Sequence, residues 1–281
     1  MCATCGCDGV GGADDIGAMA GDAARPRSDH QHSDQDGHAD RADHAGHAHP
    51  HADHSHSDGT ETVSLQTRVL AKNDALAAAN RELIERRGLT AVNLMSSPGS
   101  GKTTLLARTI TDIGARVACY VVEGDQETTL DADRIAATGA PVFQVNTGAG
   151  CHLDAGMLAD ALRALDPTGG LLLIENVGNL VCPALFDLGE HARAVIMSVT
   201  EGADKPLKYP QMFHAATVVL LNKVDLLPYV DFDVAAFRRD LASVNPRADV
   251  LPVSATAGDG LDGWYGWLGS VTATTVAAAR S

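Results

Sequence analysis

The stretch Ser96-Ser97-Pro98-Gly99-Ser100-Gly101-Lys102-Thr103-Thr104, followed by Leu105-Leu106, has the residue types that hold a nucleoside triphosphate. Small residues at Gly99, Ser100 and Gly101 let backbone N–H groups close around a β-phosphate. Lys102 reaches β and γ oxygens, the Thr103 hydroxyl ligates Mg²⁺, and Thr104 continues the cradle into a helix. Ser96 stands where the standard pattern has Gly, but the Gly-Lys-Thr centre is intact. Ser97 is not the extra lysine of deviant Walker ATPases, which argues against the partition and arsenite-pump type.

Asn222-Lys223-Val224-Asp225 supplies a base-reading group. The Asp225 carboxylate can accept from N1–H and the exocyclic amine of guanine, a donor pair that adenine lacks, so GTP is expected over ATP. Lys223 would pack over the base, and Ser254-Ala255 would offer backbone N–H to the guanine O6. Glu175, in Glu175-Asn176-Val177-Gly178, occupies the place of a Walker-B acid. Asp125, in Glu123-Gly124-Asp125-Gln126, is the second candidate for Mg²⁺ or for positioning water. With no arginine finger or catalytic glutamine evident in cis, hydrolysis is expected to be slow.

A second chemistry is carried by sulfur and imidazole. Cys2, Cys5 and Cys7 pack three thiolates into six residues, suited to Ni²⁺ in a square-planar field or Zn²⁺ in a tetrahedral one. His30, His32, His38, His44, His47, His49, His51, His54 and His56 interleave with Asp, Ala and Gly, a spacing suited to metal buffering or storage. Cys151-His152 and Cys182 fall on loops near the expected γ-phosphate position, where a bound metal could feel the nucleotide state. Cys119 lies within an apolar strand and is assigned as a small core residue.

These groups need a scaffold that gathers loops at one edge. Ala91–Met95, Arg116–Val122, Pro141–Val145, Leu171–Val177, Ala194–Val199, Val218–Asn222 and Val250–Val253 read as strands separated by helix-length segments. That alternation implies an α/β P-loop NTPase fold, a mostly parallel sheet with helices on both faces and ligands at the carboxyl ends of its strands. Before it, Val63, Leu65, Val69, Leu70, Leu76, Leu83 and Ile84 make a loose helical stripe that stops at Gly88.

Of the 281 residues, the first 60 hold 11 of the 36 acidic side chains, 3 of the 21 basic ones and 9 of the 12 histidines, with few large aliphatics. They are expected to form a disordered metal-binding tail (1–60) ahead of a GTPase domain (61–281). A net charge of −15 without a basic stripe argues against nucleic acid as a partner. No apolar run reaches the ~20 residues of a membrane span, and no signal-peptide pattern is present, so a cytoplasmic location is expected.

Taken together, the N-terminal Cys-x-x-Cys-Gly-Cys, the histidine tract, Ser-Pro-Gly-Ser-Gly-Lys-Thr-Thr-Leu, Glu-Gly-Asp-Gln, Gly-Cys-His-Leu-Asp, Glu-Asn-Val-Gly-Asn-Leu-Val-Cys-Pro and Asn-Lys-Val-Asp resemble the HypB family of hydrogenase nickel-incorporation GTPases. The resemblance implies a SIMIBI-class metallochaperone that dimerises with GTP and delivers nickel to the large-subunit precursor of [NiFe] hydrogenase, alongside a HypA-type maturation protein. It implies a tight nickel site at Cys2, Cys5 and Cys7, and a weaker nickel/zinc site at Cys151, His152 and Cys182 on the dimer interface. Two other readings stay open: a urease-accessory-type nickel GTPase, from which a Cys-Pro-His motif would be expected, and a nickel storage protein with a vestigial nucleotide site.

Overall fold

The computed structural model describes residues 58–125, 128–148 and 150–278. Cys2, Cys5, Cys7 and the tract His30–His56 lie outside the described residues.

Helix α1 (Asp58–Arg86) leads into an alternation of strands and helices: β1 (Leu89–Ser96), α2 (Lys102–Ile113), β2 (Cys119–Asp125), α3 (Leu130–Ala136), β3 (Val142–Asn146), α4 (Ala155–Leu165) and β4 (Gly170–Glu175). Then come α5 (Cys182–Leu185), β5 (Ala192–Ser198), α6 (Lys205–Lys208), α7 (Pro210–His214), β6 (Val218–Asn222), a 3₁₀ turn (Val224–Tyr229), α8 (Val234–Val244), β7 (Asp249–Pro252) and α9 (Leu261–Ala278). The strands form one seven-stranded sheet in the order β3-β2-β4-β1-β5-β6-β7. Its paired strands are all parallel. Every residue of β1 and of β6 is buried, as a parallel sheet covered on both faces requires.

The pleat sorts the apolar side chains. Val92 and Leu94 join Leu105, Leu106 and Ile110 of α2 and Trp264 and Leu268 of α9 on one face. Ala91 packs with Ile84 of α1 and Leu158 and Leu162 of α4 on the other, and Met95 with Phe213 of α7 and Phe237 and Leu241 of α8. The strands sit where apolar runs predict them, with ends displaced by up to three residues. The largest shift, in β2, carries Glu123 and Asp125 into the strand.

Helix α1 departs from the expected stripe. Asn73, Ala77, Asn80 and Ile84 face inward, while Val69 is 49% and Leu76 37% exposed. Close backbone contact explains this: a Cβ at Gly189, where φ is +93°, would lie 2.5 Å from the Ala77 carbonyl oxygen, so the helix backbone rests on the 187–190 loop. The two asparagines then satisfy loop backbone groups that no leucine could. Asn73 accepts from the Ala155 amide and donates to the Asp187 carbonyl, and Asn80 donates to the carbonyls of Ala155 and Leu188.

Candidate functional site

The carboxyl edge of the sheet carries a cleft of about 510 Å³ lined by residues 96–104, Asp125, Asp131, Arg134, Val177, Gly178 and Lys223. Strand β1 ends at Ser96, and the chain turns through Gly99 (φ +74°) and Gly101 (φ +94°) into α2 at Lys102. Gly101 has a second constraint, since a Cβ there would meet Asn222 Nδ2 at 2.6 Å. That asparagine braces the loop by donating to the Ser100 carbonyl at 2.9 Å, and Lys223 donates to the Gly99 carbonyl at 2.7 Å.

Glu175, 1% exposed at the end of β4, accepts on Oε1 from Lys102 Nζ at 2.9 Å and from Thr103 Oγ1 at 2.6 Å. Its Oε2 is buried with no hydrogen-bond partner among the described residues. A carboxylate with one uncommitted oxygen beside a hydroxyl is a hard-oxygen donor set, and a divalent cation such as Mg²⁺ fits it. Asp125 lines the same cleft, and its Oδ2 accepts from the amide and hydroxyl of Thr128.

Beside this cluster the register of β2 on β4 sets Glu123 opposite Glu175. Burial pushes the Glu123 carboxyl up to about 8, with the negative charges of Glu175, Asp125 and Asp131 adding to the effect and Lys102 opposing it.

At the base-reading end, Asp225 is exposed at the start of the 3₁₀ turn, and Lys223 takes a left-handed φ of +62° that turns the chain there. The Ser254 amide donates to the Asp259 carbonyl and the Ala255 amide to Asn222 Oδ1. Both amides expected to face guanine O6 therefore already have partners within the chain.

Cys151, His152 and Cys182 offer ligand atoms that all lie within 4.8 Å of one another. Two elements bring them together: the loop after β3, which carries Cys151 and His152, and the start of α5, which carries Cys182. His152 stacks on Phe186, with ring centroids 4.0 Å apart, and so bridges the two. Burial holds the His152 imidazole below its usual range, against the opposing charge of Asp154, which favours the neutral form that binds metals. Two soft thiols and an imidazole suit Ni²⁺ or Zn²⁺. Cys119 instead sits in the core with α2, donating to the Val117 carbonyl.

Glu201 and Arg134 are contributors that escape sequence reasoning. Glu201 accepts from Ser97 Oγ of the phosphate loop, from the Ser198 amide at 3.0 Å and from Lys205 Nζ. Lys208 pairs with Asp204 at 2.7 Å, so both lysines of α6 are engaged within the chain. Arg134 lines the cleft in cis, although nothing in the pattern of α3 distinguishes it from a solvent-facing arginine.

A family model described as "CobW/HypB/UreG, nucleotide-binding domain" matches residues 90–252. A hydrogenase maturation factor HypB from Azotobacter vinelandii is 58% identical over 205 residues, covering 73% of this chain and 68% of that protein. Among solved structures, the Archaeoglobus fulgidus hydrogenase maturation factor HypB superposes with a TM-score of 0.68 at 41% identity, covering 72% of this chain and all of that one. HypB from Helicobacter pylori, solved in complex with nickel, gives 0.68 at 39% identity over 72% of this chain and 96% of that chain. A parallel sheet with an intact phosphate loop, matched from residue 90 to residue 252 and related to HypB proteins at these identities, places the chain in the HypB family of hydrogenase maturation factors, with a CobW/HypB/UreG nucleotide-binding domain.

Proposed function

We propose that the chain is a GTPase whose nucleotide cycle governs the binding and release of nickel for [NiFe] hydrogenase maturation. The observation that carries this reading is the cluster of Cys151, His152 and Cys182 on the same sheet edge as the phosphate loop.

In this reading Lys102 leaves its ion pair with Glu175 to hold the β- and γ-phosphates, and the loop amides of Gly99, Ser100, Gly101 and Thr104 surround them. Asp225 selects guanine, Lys223 packs over the base, and an amide of Ser254 or Ala255 exchanges its present partner to reach O6. Thr103 and Glu175, with Asp125 beside them, would hold Mg²⁺, which would supply neutralisation of the negative charge on the phosphates. Asp125 or Glu175 orients a water that attacks the γ-phosphorus; the bond to the β–γ bridging oxygen breaks, giving GDP and inorganic phosphate. Arg134 supplies positive charge at the transferring group.

Nickel is the cargo, with zinc a competitor for the same thiols. Cys2, Cys5 and Cys7 form a second, tighter site, and His30–His56 act as a reserve within a tail spanning residues 1–60, ahead of the GTPase domain at 61–281. The partners are a second copy of the chain in the GTP state, a HypA-type nickel carrier and the hydrogenase large-subunit precursor. In this reading the site of action is the cytoplasm, and no described helix is long and apolar enough to cross a membrane.

A storage protein with a vestigial nucleotide site is disfavoured by the intact Lys102–Glu175–Thr103 arrangement. The test is hydrolysis of GTP and ATP by the full chain, with and without nickel, beside its mass by sedimentation. Turnover of GTP over ATP, a nickel-dependent rate and a GTP-dependent dimer support the reading. Nickel binding without turnover would overturn it in favour of storage.

A further inference from the structure

We propose that Asn176 is the positioning residue through which the nucleotide cleft and the Cys151–His152–Cys182 cluster sense each other; the inference rests on the functional reading above.

Asn176 immediately follows Glu175, the carboxylate that Lys102 and Thr103 hold, and it is completely buried. Its Oδ1 accepts from the Leu153 amide at 3.1 Å and from the Val177 amide at 3.0 Å. Leu153 is the residue after His152. A single side chain therefore ties the end of β4, where a phosphate or cation contact would act, to the loop that carries two of the three soft ligands.

The Leu153 side chain makes the second tie. It is wholly buried against Gly124, where a Cβ would come within 2.8 Å of Leu153 Cγ. Gly124 lies between Glu123 and Asp125, so the loop of Cys151 and His152 rests on the end of β2 through Leu153 and is tied to the end of β4 through Asn176.

The amide's other end reaches the segment that follows α5. Asn176 Nδ2 donates to Asn93 Oδ1 at 3.3 Å, and Asn93 Nδ2 donates to Glu190 Oε1 at 3.2 Å. Glu190 accepts the Leu188 amide at 2.7 Å, in the segment just after Phe186, the ring stacked on His152. Each member is buried, so displacing the Glu175–Asn176 peptide leaves donors and acceptors unpaired unless the 151–153 and 186–190 segments follow. Packing alone would hold these segments in place; a donor–acceptor chain makes their movements depend on one another.

The test uses the full chain with Cys2→Ser, Cys5→Ser and Cys7→Ser, so that the thiolate-to-nickel charge-transfer band reports Cys151 and Cys182. Nickel is titrated from a chelator buffer with GDP and with a non-hydrolysable GTP analogue, and the ratio of the two midpoints is the coupling factor. That factor is expected to be about fivefold or more in the parent and to fall within about twofold of unity in Asn176→Ala. Asn176→Asp, which keeps an acceptor for the Leu153 amide but loses the donor to Asn93, is expected to lie between them. A ratio isolates coupling from any uniform loss of affinity or stability, and the aspartate variant serves if alanine fails to fold. The parent's factor persisting in these variants would overturn the role of Asn176 alone. Equal midpoints in the parent would overturn nucleotide–nickel coupling itself, and this inference with it.

Discussion

Glu123 and Glu175 stand opposite one another on neighbouring parallel strands, each about 2% exposed or less and each with one carboxylate oxygen unpartnered among the described residues. Two buried carboxylates side by side are tolerable when one is protonated, and Glu123, pushed up to about 8, is the one that keeps its proton. Glu175 is the member of the pair that forms the ion pair with Lys102, at 2.9 Å.

This arrangement gives stability a pH dependence. As pH rises from the ordinary carboxylate value of 4.5 to about 8, the native state keeps a proton that the unfolded chain has released, so folding becomes steadily less favourable. Glu123→Gln removes that linkage. In the nucleotide- and magnesium-free protein its Tm should exceed wild type at pH 8, with the gap closing toward pH 5. A gap that does not change with pH would contradict the assignment.

Arg134 is the cationic side chain of the cleft that neither the phosphate-loop motif nor Asn222-Lys223-Val224-Asp225 announces. Arg134→Ala should lower kcat for GTP by about tenfold or more, and Arg134→Lys should recover only part, because an ammonium cannot reproduce the guanidinium fork. Single-turnover hydrolysis measures this directly; unchanged rates would remove Arg134 from the transition state.

Base choice rests on Asp225. Asp225→Asn replaces an acceptor by a donor facing the guanine amine, so affinity for GTP should fall while that for xanthosine triphosphate rises. Competition binding with the two nucleotides decides it, and an unchanged preference would refute the guanine assignment.

Asn80 fastens α1 to the two segments that carry the soft ligands, donating to Ala155 at 2.8 Å and Leu188 at 3.0 Å. Asn80→Ala leaves two buried carbonyls without this partner and should cost ~1–3 kcal/mol in denaturant unfolding. Asn80→Leu, which fills the space with apolar atoms, should not restore it, whereas a stability equal to wild type would show that the helix is held by its apolar residues.

The sheet was legible because buried parallel strands are written as apolar runs, and the phosphate loop because its glycines and Gly-Lys-Thr centre are local in sequence. The approach of Cys151-His152 to Cys182 was legible through topology, since both follow strands that end at one edge. Register was not legible. Placing β2 at Arg116–Val122 hides the pairing of Glu123 with Glu175, which exists because the strand runs on to Asp125. The asparagines were not legible either: Asn73, Asn80, Asn93 and Asn176 look like ordinary polar residues, and only the fold supplies the backbone groups and side chains that they satisfy. For α1 the leucine pattern misleads, because close backbone contact and polar bridges, rather than aliphatic burial, choose its inner face.

If nickel at Cys151, His152 and Cys182 is coupled to the nucleotide, GTP turnover measured against free nickel must differ between the full chain and its Cys182→Ser variant. The wild-type rate should change as nickel fills the site, and the variant's rate should stay flat over the same range. A wild-type rate indifferent to nickel, or a variant responding as wild type does, would contradict that coupling.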